Sequence, residues 1–162
     1  MKSEEKTNVM RLLDQKKIPY ASHTYVHTGA VSAVEVAAAL GQDPARVFKT
    51  LVAVGKTGTH YVFVIPAAAE LDLKKAARAA GEKSMEMVRA KELLPLTGYI
   101  HGGCSPIGMK KFFRTFVDES VRKFPTFCFS AGKIGYQVET SPQDLARIIR
   151  FDTADLTAEE EA

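Results

Sequence analysis

The segment VFKTLVAVGKTGTHYVFVIPA, residues 47–67, constrains the fold more than any other stretch. Two runs rich in β-branched and aromatic residues flank a glycine-bearing turn, which predicts an antiparallel hairpin. Alternation along the first run puts Val47, Lys49, Leu51 and Ala53 on one face and Phe48, Thr50, Val52 and Val54 on the other. Both faces are apolar, and Lys49 is the residue that breaks the pattern. An ammonium among apolar neighbours is costly unless it is paired, stands at the mouth of a site, or snorkels out from a strand end. The pattern alone leaves these three open. The turn GKTGT shares letters with a phosphate-binding loop but lacks the full GxxxxGK[ST] spacing, so it predicts no nucleotide site.

Around the hairpin, local signals place the remaining elements. Residues 7–17 carry Val9, Leu12 and Leu13 near helical spacing, and residues 20–27 alternate like a strand. Ser32 with Glu35 forms a capping-box pattern ahead of an alanine-rich helix stopped by Gly41, and Asp43-Pro44 opens one more turn. A helix runs from Asp72 to Gly81, residues 84–88 read as a short strand, and residues 90–96 as a helical turn interrupted by Pro95. Three β-rich runs follow at 112–119, 126–130 and 134–140, then a capped helix at 141–150. Helices and strands mix without strict β-α-β alternation, which predicts one α+β domain around a mixed or barrel-like sheet. The domain is expected to span residues 1–151, followed by an acidic, frayed tail at 152–162.

Charge and cysteine content narrow the class. The tail holds five acids and no base, so the body carries 22 bases against 14 acids, a net +8. Such a body suits a polyanion such as RNA, although ordinary solvated lysines account for it more simply. Neither a leading apolar run of signal length nor a membrane-length segment is visible, so a cytoplasmic protein with both cysteines as thiols is expected. His23 and His27 lie in a strand-like run without an HExxH pattern, and no metal site or cofactor is predicted.

The loop GYIHGGCSPIGMKK, residues 98–111, concentrates four glycines around one thiol. Gly102 to Pro106 fit a GxxxP pattern whose bare backbone can expose consecutive N–H groups to a carbonyl or carboxylate oxygen. A tight connection between elements would use the same residues. Cys104 is a candidate nucleophile if His101, three residues earlier, lowered its pKa, or else a small buried hydrophobe. Cys128, between Phe127 and Phe129, reads as core.

HTY at 23–25, FKTL at 48–51, LDLKKAA at 71–77, TGYIHGGCSPIGMKK at 97–111 and SAGKIGYQVE at 130–139 together resemble the YbaK/EbsC family. These bacterial proteins hydrolyse cysteinyl-tRNA(Pro) and are related to the editing insertion domain of prolyl-tRNA synthetase. The resemblance implies a single α+β domain with a curved, mixed, barrel-like central sheet surrounded by helices. It implies an aminoacyl-tRNA deacylase that needs no cofactor. Its partners would be tRNA(Pro) charged with cysteine and prolyl-tRNA synthetase in a ternary complex, with no membrane. Matched position by position, Lys49 is the essential lysine, Tyr25 the tyrosine near the site, and Gly102 a catalytic backbone donor. Phe48, Thr50, Gly103, Cys104, Ser105, Pro106, Ser130, Gly132 and Gln137 are then substrate-binding candidates.

The resemblance also implies that the substrate's own thiol attacks the ester, with the Gly102 and Gly103 amides polarising the carbonyl and Lys49 holding the ribose or phosphate side. The middle of the loop is commonly aliphatic where Cys104 stands. Tyr136-Gln137 replaces a frequent Leu-Asp pair, which puts a charged partner for the substrate amino group in doubt. Rival readings are a deacylase for alanyl or seryl esters, and a non-catalytic tRNA or synthetase-binding module using Lys110, Lys111, Arg114, Arg122, Lys123 and Lys133.

Overall fold

The computed structural model describes residues 6–159. In chain order the elements are α1 (Asn8–Gln15), β1 (Ala21–Thr24), α2 (Ala33–Leu40), β2 (Phe48–Gly55), β3 (His60–Pro66), α3 (Leu73–Ala80), β4 (Met85–Met87), α4 (Ala90–Thr97), β5 (Arg114–Asp118), β6 (Phe127–Ser130), β7 (Tyr136–Thr140), α5 (Pro142–Leu145) and β8 (Phe151–Ala154), with short 3-10 turns at Pro44–Arg46 and Glu119–Lys123. No described helix is long and apolar enough to cross a membrane.

The hairpin is the centre of the molecule. β2 and β3 pair antiparallel from Phe48↔Pro66 to Val54↔His60, in a five-stranded sheet ordered β4-β2-β3-β5-β8 whose β3–β5 and β5–β8 pairs are parallel. One face sends Phe48, Val52, Val62 and Val64 into a core with Val9, Leu13, Phe127 and Phe129. The other sends Leu51, Ala53, Phe63 and Ile65 against the alanines of α3 and Phe116. Two apolar faces therefore find two cores, as the strand parity requires. A second, antiparallel sheet, β1-β7-β6, meets the first where Val47 bridges Cys128. The mixed α+β architecture is as expected, but the sheet does not close as a barrel: the two sheets touch at the start of β2.

Local caps form where the residue types call for them. Ser32 and Glu35 make both bonds of the capping box on α2, and Gly41 ends the helix at φ 65°. α4 runs through Pro95 to Thr97 rather than stopping, and α5 ends at Leu145 after four residues.

The expected frayed tail is corrected by the structure. β8 adds to β5, Leu156 is fully buried, and its N–H donates to the Asp118 carboxylate at 3.0 Å. Lys75 Nζ donates to Asp155 at 3.1 Å and to the Thr157 carbonyl at 2.8 Å. Residues 160–162 lie outside those described. Leu156→Ala is expected to lower the unfolding free energy by about 2–5 kcal/mol, because the vacated volume is fully enclosed. A frayed tail would leave urea denaturation unchanged.

Candidate active site

Where the two sheets meet, the first residues of β2, the N-terminal part of α2, the glycine loop and the ends of β6 and β7 enclose a cavity of about 370 Å³. Five of its walls come from separate segments, so only the folded chain assembles it. Of the candidates read from sequence, Tyr25, Phe48, Lys49, Thr50, Gly102, Cys104, Ser130 and Gln137 line it. Gly103, Ser105, Pro106 and Gly132 do not.

Lys49 is half-buried, and among the described residues it has no hydrogen-bond or ion-pair partner at contact distance. Burial pulls its pKa below the ordinary lysine value, and the more distant Glu70 partly opposes this. Pairing does not account for it, and the side chain lines the cavity at the start of β2. Beside it, the Thr50 hydroxyl is buried without any hydrogen-bond partner. An unmet hydroxyl costs stability unless something binds there. Phe48 packs edge-on against Phe127, with centroids 5.2 Å apart, and forms a rigid apolar wall. Tyr25 is 4% exposed, and burial raises its pKa against an opposing Gly135 backbone hydrogen bond.

The glycine loop divides its roles. Gly102 has φ +88°, and a Cβ there would stand 2.7 Å from Val31 Cγ1 on the opposite wall. Its N–H has no backbone or side-chain acceptor among the described residues, so it is free for a ligand oxygen. The Gly103 N–H already donates to the Ile100 carbonyl at 2.9 Å, which counts against the expectation that it polarises a ligand carbonyl beside Gly102. Ser105 is fully buried and its Oγ accepts from the Ile107 N–H at 3.3 Å, which shapes the turn. Gly132 packs on Tyr99, where a Cβ would come to 2.9 Å from the ring, and its N–H donates to Ser130 Oγ at 3.1 Å. The Tyr99 hydroxyl donates to the Ile107 carbonyl, clamping the loop from behind.

Cys104 is a poor nucleophile here. It is 7% exposed, and burial pushes its thiol up to about 12, against a weaker opposing hydrogen bond with Thr97. His101 lines the same cavity without a hydrogen bond to it. His23, Cys128 and Glu139 place ligand-type atoms within 4.8 Å of one another. That carboxylate already accepts from Thr126 at 2.6 Å and Arg46 at 3.0 Å and contacts His23 at 2.9 Å, which makes it an ion-pair hub joining β1 and β7 to the residue before β6 and the turn before β2.

Sequence reasoning missed the α2 wall, where Val31 and Val34 are exposed apolar residues at the cavity, and it missed Gln42. The first had a signal in valines placed at the start of a capped helix. Gln42 had none: it follows a helix stop and reads as a solvated connector.

The aminoacyl-tRNA editing domain model matches residues 27–148. A candidate Cys-tRNA(Pro)/Cys-tRNA(Cys) deacylase, EbsC of Enterococcus faecalis, is 44% identical over 160 residues, 98% of each chain. The uncharacterized YwhH of Bacillus subtilis is 26% identical over 123 residues, covering 76% of this chain and 78% of its own. A solved structure of a candidate trans-editing enzyme for prolyl-tRNA synthetase superposes with TM-score 0.82 over 96% of this chain and 100% of that one, at 24% identity, a likeness of fold alone. With the matched region spanning every cavity-lining residue but Tyr25 and a relative this similar end to end, the chain belongs to the aminoacyl-tRNA editing domain family, among its YbaK/EbsC members.

Proposed function

We propose that the protein is a trans-editing aminoacyl-tRNA deacylase that removes cysteine from mischarged tRNA(Pro), using the substrate's own thiol as nucleophile. The observation that carries this reading is the grouping of an unpaired half-buried cation, an unmet hydroxyl and a free glycine N–H in one cavity whose only thiol is protonated. The identity to EbsC over the full chain supports the substrate class.

The cavity supplies geometry to a reagent that arrives with the substrate. The cysteinyl sulfur attacks the ester carbonyl, the sulfur–carbon bond forms, the ester carbon–oxygen bond breaks, and the thiol proton ends on the released ribose hydroxyl. Water then opens the thiolactone to free cysteine. A tethered thiol folded onto its own carbonyl has a high effective concentration. The Gly102 N–H stabilises the developing oxyanion, Thr50 Oγ1 accepts from or donates to the substrate thiol, and Lys49 holds the ribose-phosphate end of the terminal adenosine. Phe48, with Val31 and Val34 at the start of α2, narrows the cavity against larger side chains. Such an enzyme acts in the cytoplasm, on charged tRNA, and we infer that it acts in a ternary complex with prolyl-tRNA synthetase.

Cys104→Ala tests whether the protein itself supplies the nucleophile. The variant is expected to keep its deacylation rate within about tenfold of wild type, since the thiol only fills space. A loss beyond about two orders of magnitude, roughly 2.7 kcal/mol, makes Cys104 the nucleophile and overturns the substrate-assisted reading.

A further inference from the structure

Gln137 is 2% exposed and is the second residue of β7, at the register of His23 on β1 and Ser130 on β6. A buried amide needs partners for two donors and an acceptor. Gln42, two residues beyond the end of α2, supplies them: its Nε2 donates to Gln137 Oε1 at 2.8 Å, and Gln137 Nε2 donates back to Gln42 Oε1 at 3.0 Å. The two amides close a ring that ties the α2 wall of the cavity to its floor.

The ring has two physical consequences. It uses one N–H and one oxygen lone pair of each amide, so Gln137 keeps one donor and one acceptor for the cavity it lines. It is also self-complementary: turning both amides over together exchanges every donor for an acceptor and preserves both hydrogen bonds. The floor is therefore uncharged and can meet a ligand donor or acceptor without losing a bond. The charged groups nearby do not supply that match, because Glu139 and His23 on the same sheet are held with Arg46 from the preceding turn, and Lys49 stands on β2.

We propose that Gln42 is a positioning residue: by closing the amide ring it orients Gln137 toward the amino-acid end of the substrate, so the cavity meets that end by hydrogen bonding rather than by charge. This rests on the deacylase reading for its substrate, though the ring itself does not.

The test compares wild type, Gln42→Leu and Gln42→Glu with cysteinyl-tRNA(Pro) from about pH 5 to about pH 8, a range that brackets a perturbed carboxyl. Leucine fills the volume without an amide, and kcat/KM is expected to fall about tenfold to a hundredfold, chiefly through KM. The introduced carboxyl can rebuild the ring only when protonated, donating O–H to Gln137 Oε1 and accepting from Nε2. Gln42→Glu should therefore show an activity limb that rises toward acid and is absent from wild type. Variants that lose only thermal stability, with unchanged kcat/KM and no new limb, overturn the proposal.

Side-chain amide proton exchange gives the arm that does not depend on turnover. Slow exchange at both glutamines in wild type, lost at Gln137 in Gln42→Leu, supports the ring even for a protein that proves inactive on this ester. Fast exchange in wild type overturns it. An inactive wild type with protected amides counts against the deacylase reading alone.

Discussion

Lys49→Ala is expected to slow deacylation of cysteinyl-tRNA(Pro) by at least two orders of magnitude, about 2.7 kcal/mol of transition-state stabilisation. Fold stability should hold or rise, because the change removes a half-buried ammonium with no contact partner and a penalised charged form. Lys49→Met separates charge from bulk. Methionine restores the stem that lies between the apolar walls, so if the cation matters, this variant is as slow as alanine, and if packing matters, it recovers. The lowered pKa sets a further expectation. The cation-dependent rate should fall on the alkaline side at a lower pH than an ordinary lysine would give, since the ammonium loses its proton earlier. A rate unchanged in Lys49→Ala would remove the residue from the mechanism.

Gly102→Ala is expected to slow deacylation strongly. Two penalties combine at this position: a φ of +88°, which costs an L-residue about 1–2 kcal/mol, and a Cβ only 2.7 Å from Val31 Cγ1. The loop must shift, and the free N–H shifts with it. Loss of one oxyanion donor costs about 10²–10³ in rate. Gly58→Ala is the matched control, with the same φ of +88° and nothing within 4 Å, so it carries the backbone strain without the contact or the site. It should lose stability and keep full activity per folded molecule. Adding Val31→Ala to Gly102→Ala removes the colliding methyl and should recover part of the rate. Equal activity losses in the Gly58 and Gly102 variants would show that strain, and not donor placement, governs the loop.

What was legible in the sequence followed the range of the forces involved. The capping box at Ser32 and Glu35, the helix stops at Gly41 and Gly81, and the hairpin at residues 47–67 are local, and each formed where its residues stand. The clash between Lys49 and its apolar neighbours marked the residue as unusual, because a charge among apolar positions is hard to hide in a pattern, but it left its role open. β8 was not legible: its sequence FDTA is too polar to announce a strand, and it becomes one through the open edge of β5 and the Leu156 anchor, which binds Asp118 from 38 residues away. The unequal roles of Gly102 and Gly103 turn on the Ile100 carbonyl capturing one amide, and the Gln42–Gln137 ring joins residues 95 apart. Neither leaves a periodic trace.

The most direct test of the account is single-turnover deacylation of cysteinyl-tRNA(Pro) beside alanyl-tRNA(Pro) by the wild-type protein, with Lys49→Ala and Cys104→Ala run in parallel. The account predicts that only the cysteinyl ester falls, that Lys49→Ala abolishes the reaction and that Cys104→Ala preserves it. Comparable cleavage of the alanyl ester, which has no thiol to turn on its own carbonyl, would contradict it.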